Sequence, residues 1–194
     1  MKIRLRDLGL SVERQLQDLP YAAYLLSMAV IGKRLAEIYA DQFPEKARLL
    51  AGKTVDTVKA AYMSSTADAD EAWQLALGWE QWLHDIDDPN NEAVGSAEMF
   101  SAMITFDLLA RELAGKTRPR TALDQVTNAA HLPDPRILAS AEPQLVRVGT
   151  EEAEEDSPAV ELMRKYEEVA RLAARQHNTG LLCDPDWFYS IVFG

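Results

Sequence analysis

The segment formed by residues 96–114 constrains the fold most strongly, because apolar side chains would cover nearly the whole circumference of a helix built from it. These side chains belong to Met99, Phe100, Ala102, Met103, Ile104, Phe106, Leu108, Leu109 and Leu113. A helix that is apolar on all sides must be buried inside a larger structure. Ser96 suits the N-cap of this helix and Gly115 suits its end. We therefore expect residues 96–114 to form a central helix against which other helices pack.

Apolar residues at helical spacing predict further helices on both sides of this segment. Capping and turn residues predict where these helices begin and end. Before the central segment we expect a short helix over residues 11–17 with Ser11 as N-cap, a helix that begins at Asp18-Leu19-Pro20, a helix that follows Phe43-Pro44 and ends near Ser64, and a helix over residues 70–85. After it we expect a short helix that is capped by Thr121 and runs to about His131, and a long helix from Ser157-Pro158 to about Gln176. The apolar segment at residues 187–193 should dock on the body formed by these helices.

The predicted fold is a single all-α domain over residues 1–194, a helical bundle of about six to eight helices around a buried central helix. A chain of 194 residues with 47% hydrophobic residues has enough material for a sizeable core. The acidic run at residues 149–157 should be a solvated loop before the last long helix. A lone strand-like alternation at residues 144–148 is too isolated to imply a sheet.

The acidic side chains are concentrated in one part of the chain. Residues 60–110 contain ten carboxylates, three of the four tryptophans and no Lys or Arg. The whole chain carries a formal net charge of −11. This balance disfavours direct binding to nucleic acid or to an anionic membrane surface, because both depend on Lys and Arg. The natural complement of such a surface is a basic protein.

Cysteine usage and the N-terminal segment predict the compartment. The single cysteine, Cys183, cannot form an internal disulfide, which favours a reducing environment. Residues 1–7 lack the apolar run of a signal peptide. The longest uncharged stretch, residues 19–32, is too short to span a bilayer. We therefore expect a cytoplasmic protein.

The sequence predicts no enzyme, cofactor or metal site, because each catalytic pattern fails at a required position. A calcium loop counted from Asp85 would need Gly at its sixth position and Glu at its twelfth, where the chain has Asn90 and Ser96. The pair His84-Asp85 lacks the upstream His of an His-Asp phosphohydrolase, since His84 is the first histidine. The sequence also has no Gly-rich phosphate loop and no spacing typical of nucleophilic catalysis. A metal-dependent hydrolase with an unrecognised carboxylate site remains the alternative function.

Short segments of the chain resemble the YjaG-like proteins, a bacterial family of uncharacterised all-helical proteins of this length. The similar segments are Leu16-Gln17-Asp18-Leu19-Pro20, Val94-Gly95-Ser96-Ala97 and Ser190-Ile191-Val192-Phe193. These segments together comprise 13 of the 194 residues. It implies a single helical domain and carries over no site residues.

The general character of the chain is similar to that of immunity proteins of bacterial toxin systems, which are small, acidic and cytoplasmic. Such proteins commonly cover the active site of a basic toxin. We therefore predict a protein that binds a basic protein partner, with a homo-oligomeric structural module as a further alternative. The predicted binding residues surround an acidic loop and comprise Glu80, Trp82, Asp85, Asp87, Asp88 and Glu92. Trp82 would supply the apolar anchor beside the acids.

Overall fold

The computed structural model describes residues 1–86, 96–132 and 152–194. These residues form eight helices and two short strands. The elements are β1 (Lys2–Arg4), α1 (Leu5–Gln17), α2 (Tyr21–Ile38), α3 (Glu45–Ser64), α4 (Ala69–Ile86), α5 (Ala97–Leu113), α6 (Leu123–Ala129), β2 (Glu152–Glu154), α7 (Pro158–Asn178) and α8 (Pro185–Phe193). The predicted all-α fold is confirmed. The predicted strand-like segment at residues 144–148 lies outside the described residues.

Helix boundaries follow local capping chemistry at several of these ends. The hydroxyl of Ser96 accepts a hydrogen bond from the amide of Met99 at 3.1 Å, and Ser157 caps α7 in the same way. Pro20 and Pro44 directly precede the first residues of α2 and α3. Gly115, which follows α5, has a φ of 68°, a left-handed conformation that suits glycine.

Two predicted helix starts are wrong. The helix predicted to begin at Ser11 begins at Leu5, and the Ser11 hydroxyl instead donates to Glu167 Oε1 on α7 at 2.6 Å. Thr121 does not cap α6, whose N-cap residue is Ala122. The hydroxyl of Thr121 is buried and has no hydrogen-bond partner among the described residues.

The acidic run predicted as a loop contains strand β2. This strand pairs antiparallel with β1, so that Lys2 faces Glu154 and Arg4 faces Glu152. Cross-strand pairs of opposite charge stabilise such a ribbon modestly. The negative charge of the run therefore favours its pairing with the basic strand β1 near the N-terminus. The glutamates of β2 remain exposed.

The core is built around α2 and α5. The predicted central helix α5 is buried along much of its length, although Phe100, Ile104 and Leu108 are only partly buried. Within the described residues, the longest unbroken buried stretch is residues 23–32 of α2. Helix α2 packs against α1, α3, α5, α7 and α8, whereas α5 packs against α2, α3, α4 and α6. The two helices thus share the centre of the bundle.

An aromatic cluster joins α4 to α5. The rings of Trp79 and Phe106 stack with centroids 5.6 Å apart, and Phe43 meets both rings edge-on. The indole of Trp79 donates to Thr54 Oγ1 on α3 at 3.1 Å, which satisfies its polar atom in the core. This cluster fixes α4 against the body, and so it fixes the direction of the opposite face of α4.

The C-terminal segment docks on the body as helix α8, as the sequence predicts. Phe188 and Val192 face the core. Asp186 lies 2.8 Å from the ammonium groups of both Lys33 on α2 and Lys59 on α3. Apolar burial and this shared ion pair hold α8 in place together.

Candidate protein-binding site

Three of the six predicted binding residues lie in the part of the chain that the structure describes. Glu80, Trp82 and Asp85 lie on the last two turns of α4. Asp87, Asp88 and Glu92 lie outside the described residues. The predicted site is therefore described through α4 and the side chains that contact it.

Helix α4 has a buried side and an acidic side. Ala72, Leu75, Ala76 and Trp79 are buried against the body. Asp70, Glu71 and Glu80 are exposed, and Leu77 between them is 39% exposed. We call Asp70, Glu71, Leu77, Glu80 and Asp85 the acidic face of α4. Because α4 contains no Lys or Arg, this face has no permanent positive charge of its own.

The N-terminal end of the acidic face is set by an Asp cap. Asp68 Oδ1 accepts hydrogen bonds from the amides of Asp70 and Glu71 at 3.1 and 3.0 Å. Three carboxylates thus lie near the positive end of the α4 dipole, where negative charge is favourable. The sequence analysis did not identify Asp68 as the cap of this helix.

A basic residue from α5 reaches the acidic face. The guanidinium of Arg111 donates to Glu80 Oε2 at 2.9 Å and to Asp107 Oδ1 at 2.9 Å. The ion pair between Arg111 and Glu80 joins α5 to α4. The pair Asp107 and Arg111 has the i, i+4 spacing of a helical ion pair, which the sequence shows. The contact with Glu80 spans 31 residues and has no local sequence signal.

Burial and ion pairing act against each other in this group. Burial raises the pKa of Asp107 above its usual value, although Arg111 opposes the shift. Burial alone would lower the pKa of Arg111, but its hydrogen bonds to Glu80 and Asp107 outweigh this and raise it. Arg111 therefore stays charged and holds Asp107 in place.

The two outer tryptophans of α4 differ in their surroundings. Trp82 is partly buried and packs against the main core, and its indole nitrogen has no hydrogen-bond partner among the described residues. Trp73 is partly buried beneath two cations, with Arg111 5.8 Å and Lys116 5.5 Å from its ring centroid. Trp82 is therefore less exposed than its predicted role as an apolar anchor requires. Leu77, which the sequence analysis did not select, is the more exposed apolar residue of the acidic face.

Asp85 is placed near the C-terminal end of α4. Its Oδ1 accepts a hydrogen bond from Gln81 Nε2 at 2.9 Å, one helical turn earlier. The neighbouring His84 is exposed in the last turn. The position of His84 agrees with a helix-terminal histidine near the negative end of the dipole.

A buried carboxylate at the end of α5, missed by the sequence analysis, joins three parts of the fold. Glu112 accepts hydrogen bonds from the hydroxyls of Tyr21 at 3.1 Å and Tyr24 at 3.0 Å and from the amide of Arg120 at 2.9 Å. The Arg120 guanidinium in turn donates to the carbonyls of Leu16 and Gln17 at the end of α1 and of Leu19 just after it. We call this group the Glu112 junction. A charged residue in the last turn of a helix is usually solvated, so no sequence signal indicates that Glu112 is buried.

Burial shifts the pKa values of the Glu112 junction. Burial raises the pKa of Glu112, while its three hydrogen bonds oppose the shift. Burial, assisted by the nearby Glu112 carboxylate, raises the pKa of Tyr21 to about 12 and that of Tyr24 further. Both tyrosine hydroxyls and both carboxylate oxygens of the junction have partners, and the junction ties α1, α2 and α5 together. We assign it a structural role.

Other candidate chemistry is dispersed. Within residues 1–86, 96–132 and 152–194, no three side chains of His, Cys, Asp or Glu are grouped so that they could hold a metal ion. Cys183 is buried beside the Tyr62 hydroxyl, and burial raises the pKa of its thiol. A thiol with a raised pKa is a poor nucleophile. In the described part of the chain, no helix combines the length and apolar character needed to cross a membrane.

Comparison with known proteins leaves the family open. No family model matches the chain, and neither a curated protein nor a solved structure matches it. The resemblance to YjaG-like proteins and the likeness to immunity proteins therefore stay predictions.

Proposed function

We propose that this protein binds a basic protein partner through the acidic face of α4 and the acidic segment that follows it, and that it acts as an immunity protein that covers the active site of a basic bacterial toxin. The observation that carries the proposal is the polarity of α4: its apolar side is locked into the aromatic cluster, and every permanently charged side chain on its outward side is negative.

Rigidity supports this proposal. Trp79 is fully buried and hydrogen-bonded to Thr54, so α4 cannot rotate to hide its acidic face. A preorganised surface loses less conformational entropy on binding than a flexible one. Charge on such a surface accelerates association with an oppositely charged partner and disfavours acidic competitors.

The partial neutralisation of Glu80 by Arg111 also fits a binding surface. An exposed ion pair contributes little stability and is easily exchanged for another partner. A cationic side chain of the partner would compete with Arg111 for Glu80. Leu77 is exposed among the carboxylates of the acidic face and provides apolar contact area there.

Charge reversal tests the proposal. The partner is captured from a lysate of the source cells, purified, and titrated against the wild type and against the triple variant Asp85→Lys, Asp87→Lys and Asp88→Lys. A control triple variant, Asp41→Lys, Glu45→Lys and Asp56→Lys, makes the same change in net charge at exposed positions on α3 and the turn before it.

We expect the first triple variant to lose affinity by at least about a hundredfold, because like charges would face each other across the interface. The control variant should lose much less. Equal losses in both variants would show that only net charge matters, and no loss in either would show that the acidic stretch is a solvated surface. Inhibition of the captured protein's activity by the wild type tests the immunity function itself.

A further inference from the structure

Helix α8 depends on the rest of the fold for its helical structure. It has nine residues, Pro185–Phe193, and an isolated helix shorter than about 12 residues is only marginally stable in water. Phe188 and Val192 are buried, whereas Trp187 and Ile191 on the same helix are 56% and 53% exposed. Docking through one side therefore keeps α8 helical.

The centre of the bundle does not rely on α8. This helix packs against α2 and α7. It contributes no residue to the aromatic cluster or to the Glu112 junction, which hold α1, α2, α4 and α5 together. Segments with few buried apolar contacts open at a lower free energy than the core of a protein does. The other helices can therefore stay folded when α8 leaves its place.

Positively charged side chains from three helices fasten α8. The Asp186 carboxylate lies 2.8 Å from Nζ of Lys33 on α2 and from Nζ of Lys59 on α3. Lys165 on α7 donates to the carbonyl of Val192 at 2.9 Å. We call Asp186, Lys33 and Lys59 the Asp186 clamp. The side chain of Asp186 is 52% exposed, so dissolved salt weakens this clamp.

The connection that precedes α8 is attached to the body at Cys183. The amide of Cys183 donates to the Tyr62 hydroxyl at 3.3 Å, and its thiol is buried beside the same hydroxyl. The next residue, Asp184, is the N-cap of α8 and accepts a hydrogen bond from the amide of Asp186 at 2.8 Å. Helix α8 can therefore pivot between Cys183 and Asp186 while α7 keeps its position.

A polar atom beneath α8 makes the docked state less favourable. Nε of Arg34 on α2 is enclosed and has no hydrogen-bond partner among the described residues. The ring of Phe193 on α8 lies over this guanidinium, with its centroid 5.4 Å away. A buried donor without a partner costs free energy, and it regains hydrogen bonds when water reaches it. Departure of α8 would remove this cost, which offsets part of the apolar contacts that keep the helix docked.

We propose that α8 is a strap that opens and closes as one unit while the rest of the bundle stays folded, and that the Asp186 clamp sets how often it opens. Opening uncovers the surfaces of α2 and α7 that α8 covers, and it exposes the side chains of Phe188 and Val192. The clamp contains no residue of α4, so the inference does not depend on the function proposed for the acidic face.

Native-state hydrogen exchange of the full chain, followed by NMR at low denaturant concentrations, tests the strap. We expect the amides of residues 188–191 to share one opening constant, at least about tenfold larger than that of the buried stretch of α2 and less dependent on denaturant. An opening constant and denaturant dependence equal to those of α2 would overturn the proposal, because α8 would then open only in global unfolding. So would protection that falls steadily towards Phe193, which is the pattern of a fraying helix end.

Loss of the clamp gives the second readout. Asp186→Asn should raise the opening constant of α8 by about three- to tenfold, because two exposed ion pairs are lost. Asp124→Asn makes the same chemical change at an exposed position on α6 and should leave α8 unchanged.

Added salt should raise the opening constant of α8 in the wild type and have a smaller effect in Asp186→Asn, because the variant has no clamp to screen. Equal opening constants in the wild type and Asp186→Asn would overturn the role of the clamp. An equal rise in Asp124→Asn, or an equal salt effect in the wild type and Asp186→Asn, would do the same.

Discussion

Arg111 on α5 donates a hydrogen bond to Glu80 on α4 at 2.9 Å, and its guanidinium also bonds to Asp107 on its own helix. One cation thus pairs with a buried carboxylate, which needs a partner, and with an exposed carboxylate, which water can solvate. Asp107 is buried, whereas the side chain of Glu80 is 60% exposed. Arg111 therefore links the stability of the fold to the charge of the proposed binding surface.

Replacing Arg111 with Met should have opposite effects on stability and on binding. Asp107 would be left buried without its partner, which costs about 1–3 kcal/mol in unfolding free energy by chemical denaturation. The acidic face would gain net negative charge, so the association rate with a basic partner should rise. Arg171→Met removes one positive charge at an exposed site on α7 and is the control. A slower association of Arg111→Met would contradict the proposed surface.

The aromatic cluster makes the two phenylalanines of α5 unequal. Phe106 is fully buried against Trp79 and Phe43, whereas Phe100 is only partly buried. Phe106→Ala should lower the unfolding free energy by about 3–5 kcal/mol, the usual cost for a buried ring. Phe100→Ala should cost clearly less. Denaturant unfolding of both variants measures the difference, and equal losses would mean that the cluster adds nothing.

The Glu112 junction predicts an unusual pH dependence. Since burial holds the pKa of Glu112 above its usual value of 4.5, the folded protein binds this proton more tightly than the unfolded chain does. The raised pKa of Glu112 therefore contributes most to the unfolding free energy below pH 4.5, and this contribution declines as the pH rises through the raised pKa. The unfolding free energies of the wild type and of Glu112→Gln are measured at neutral pH and in mild acid. On acidification, the free energy of the wild type should rise relative to that of Glu112→Gln. A shift in favour of Glu112→Gln would mean that hydrogen bonding, not burial, dominates at Glu112.

Two glycines with different conformations give a matched pair of substitutions. Gly52 lies within α3, and a Cβ atom there would meet no heavy atom within 4 Å. Gly52→Ala should stabilise the protein by about 0.5–1 kcal/mol, because alanine is the better helix former. Gly115 also has open space but a φ of 68°, so Gly115→Ala should destabilise by about 1–2 kcal/mol. Melting temperatures that change in the same direction for both would contradict the helix end at Gly115.

Local chemistry explains why much of the fold could be predicted. Ser96 and Ser157 cap α5 and α7 as the sequence indicates, because an N-cap needs only a hydroxyl and an amide three residues later. The buried stretch of α2 coincides with the longest uncharged stretch of the chain, residues 19–32. That coincidence could have identified α2 as a second central helix.

The remainder depends on contacts between distant residues. Lys2 pairs with Glu154 across 152 positions, and Tyr24 contacts Glu112 across 88 positions, so no spacing rule predicts either contact. For the site, the sequence placed Glu80 and Asp85 together on α4. It did not predict that Arg111 would neutralise Glu80 or that Trp82 would pack on the core, since both follow from how α4 docks on α5.

The central claim, that the acidic face of α4 and its following segment receive a basic partner, is tested most directly by the salt dependence of the association rate. Stopped-flow or surface-based kinetics would compare the wild type with the variant Asp85→Lys, Asp87→Lys and Asp88→Lys at low and high salt. We predict a rate that falls steeply with salt for the wild type, and a lower rate with a flat salt dependence for the variant. Equal rates and equal salt slopes for the two proteins would contradict the account.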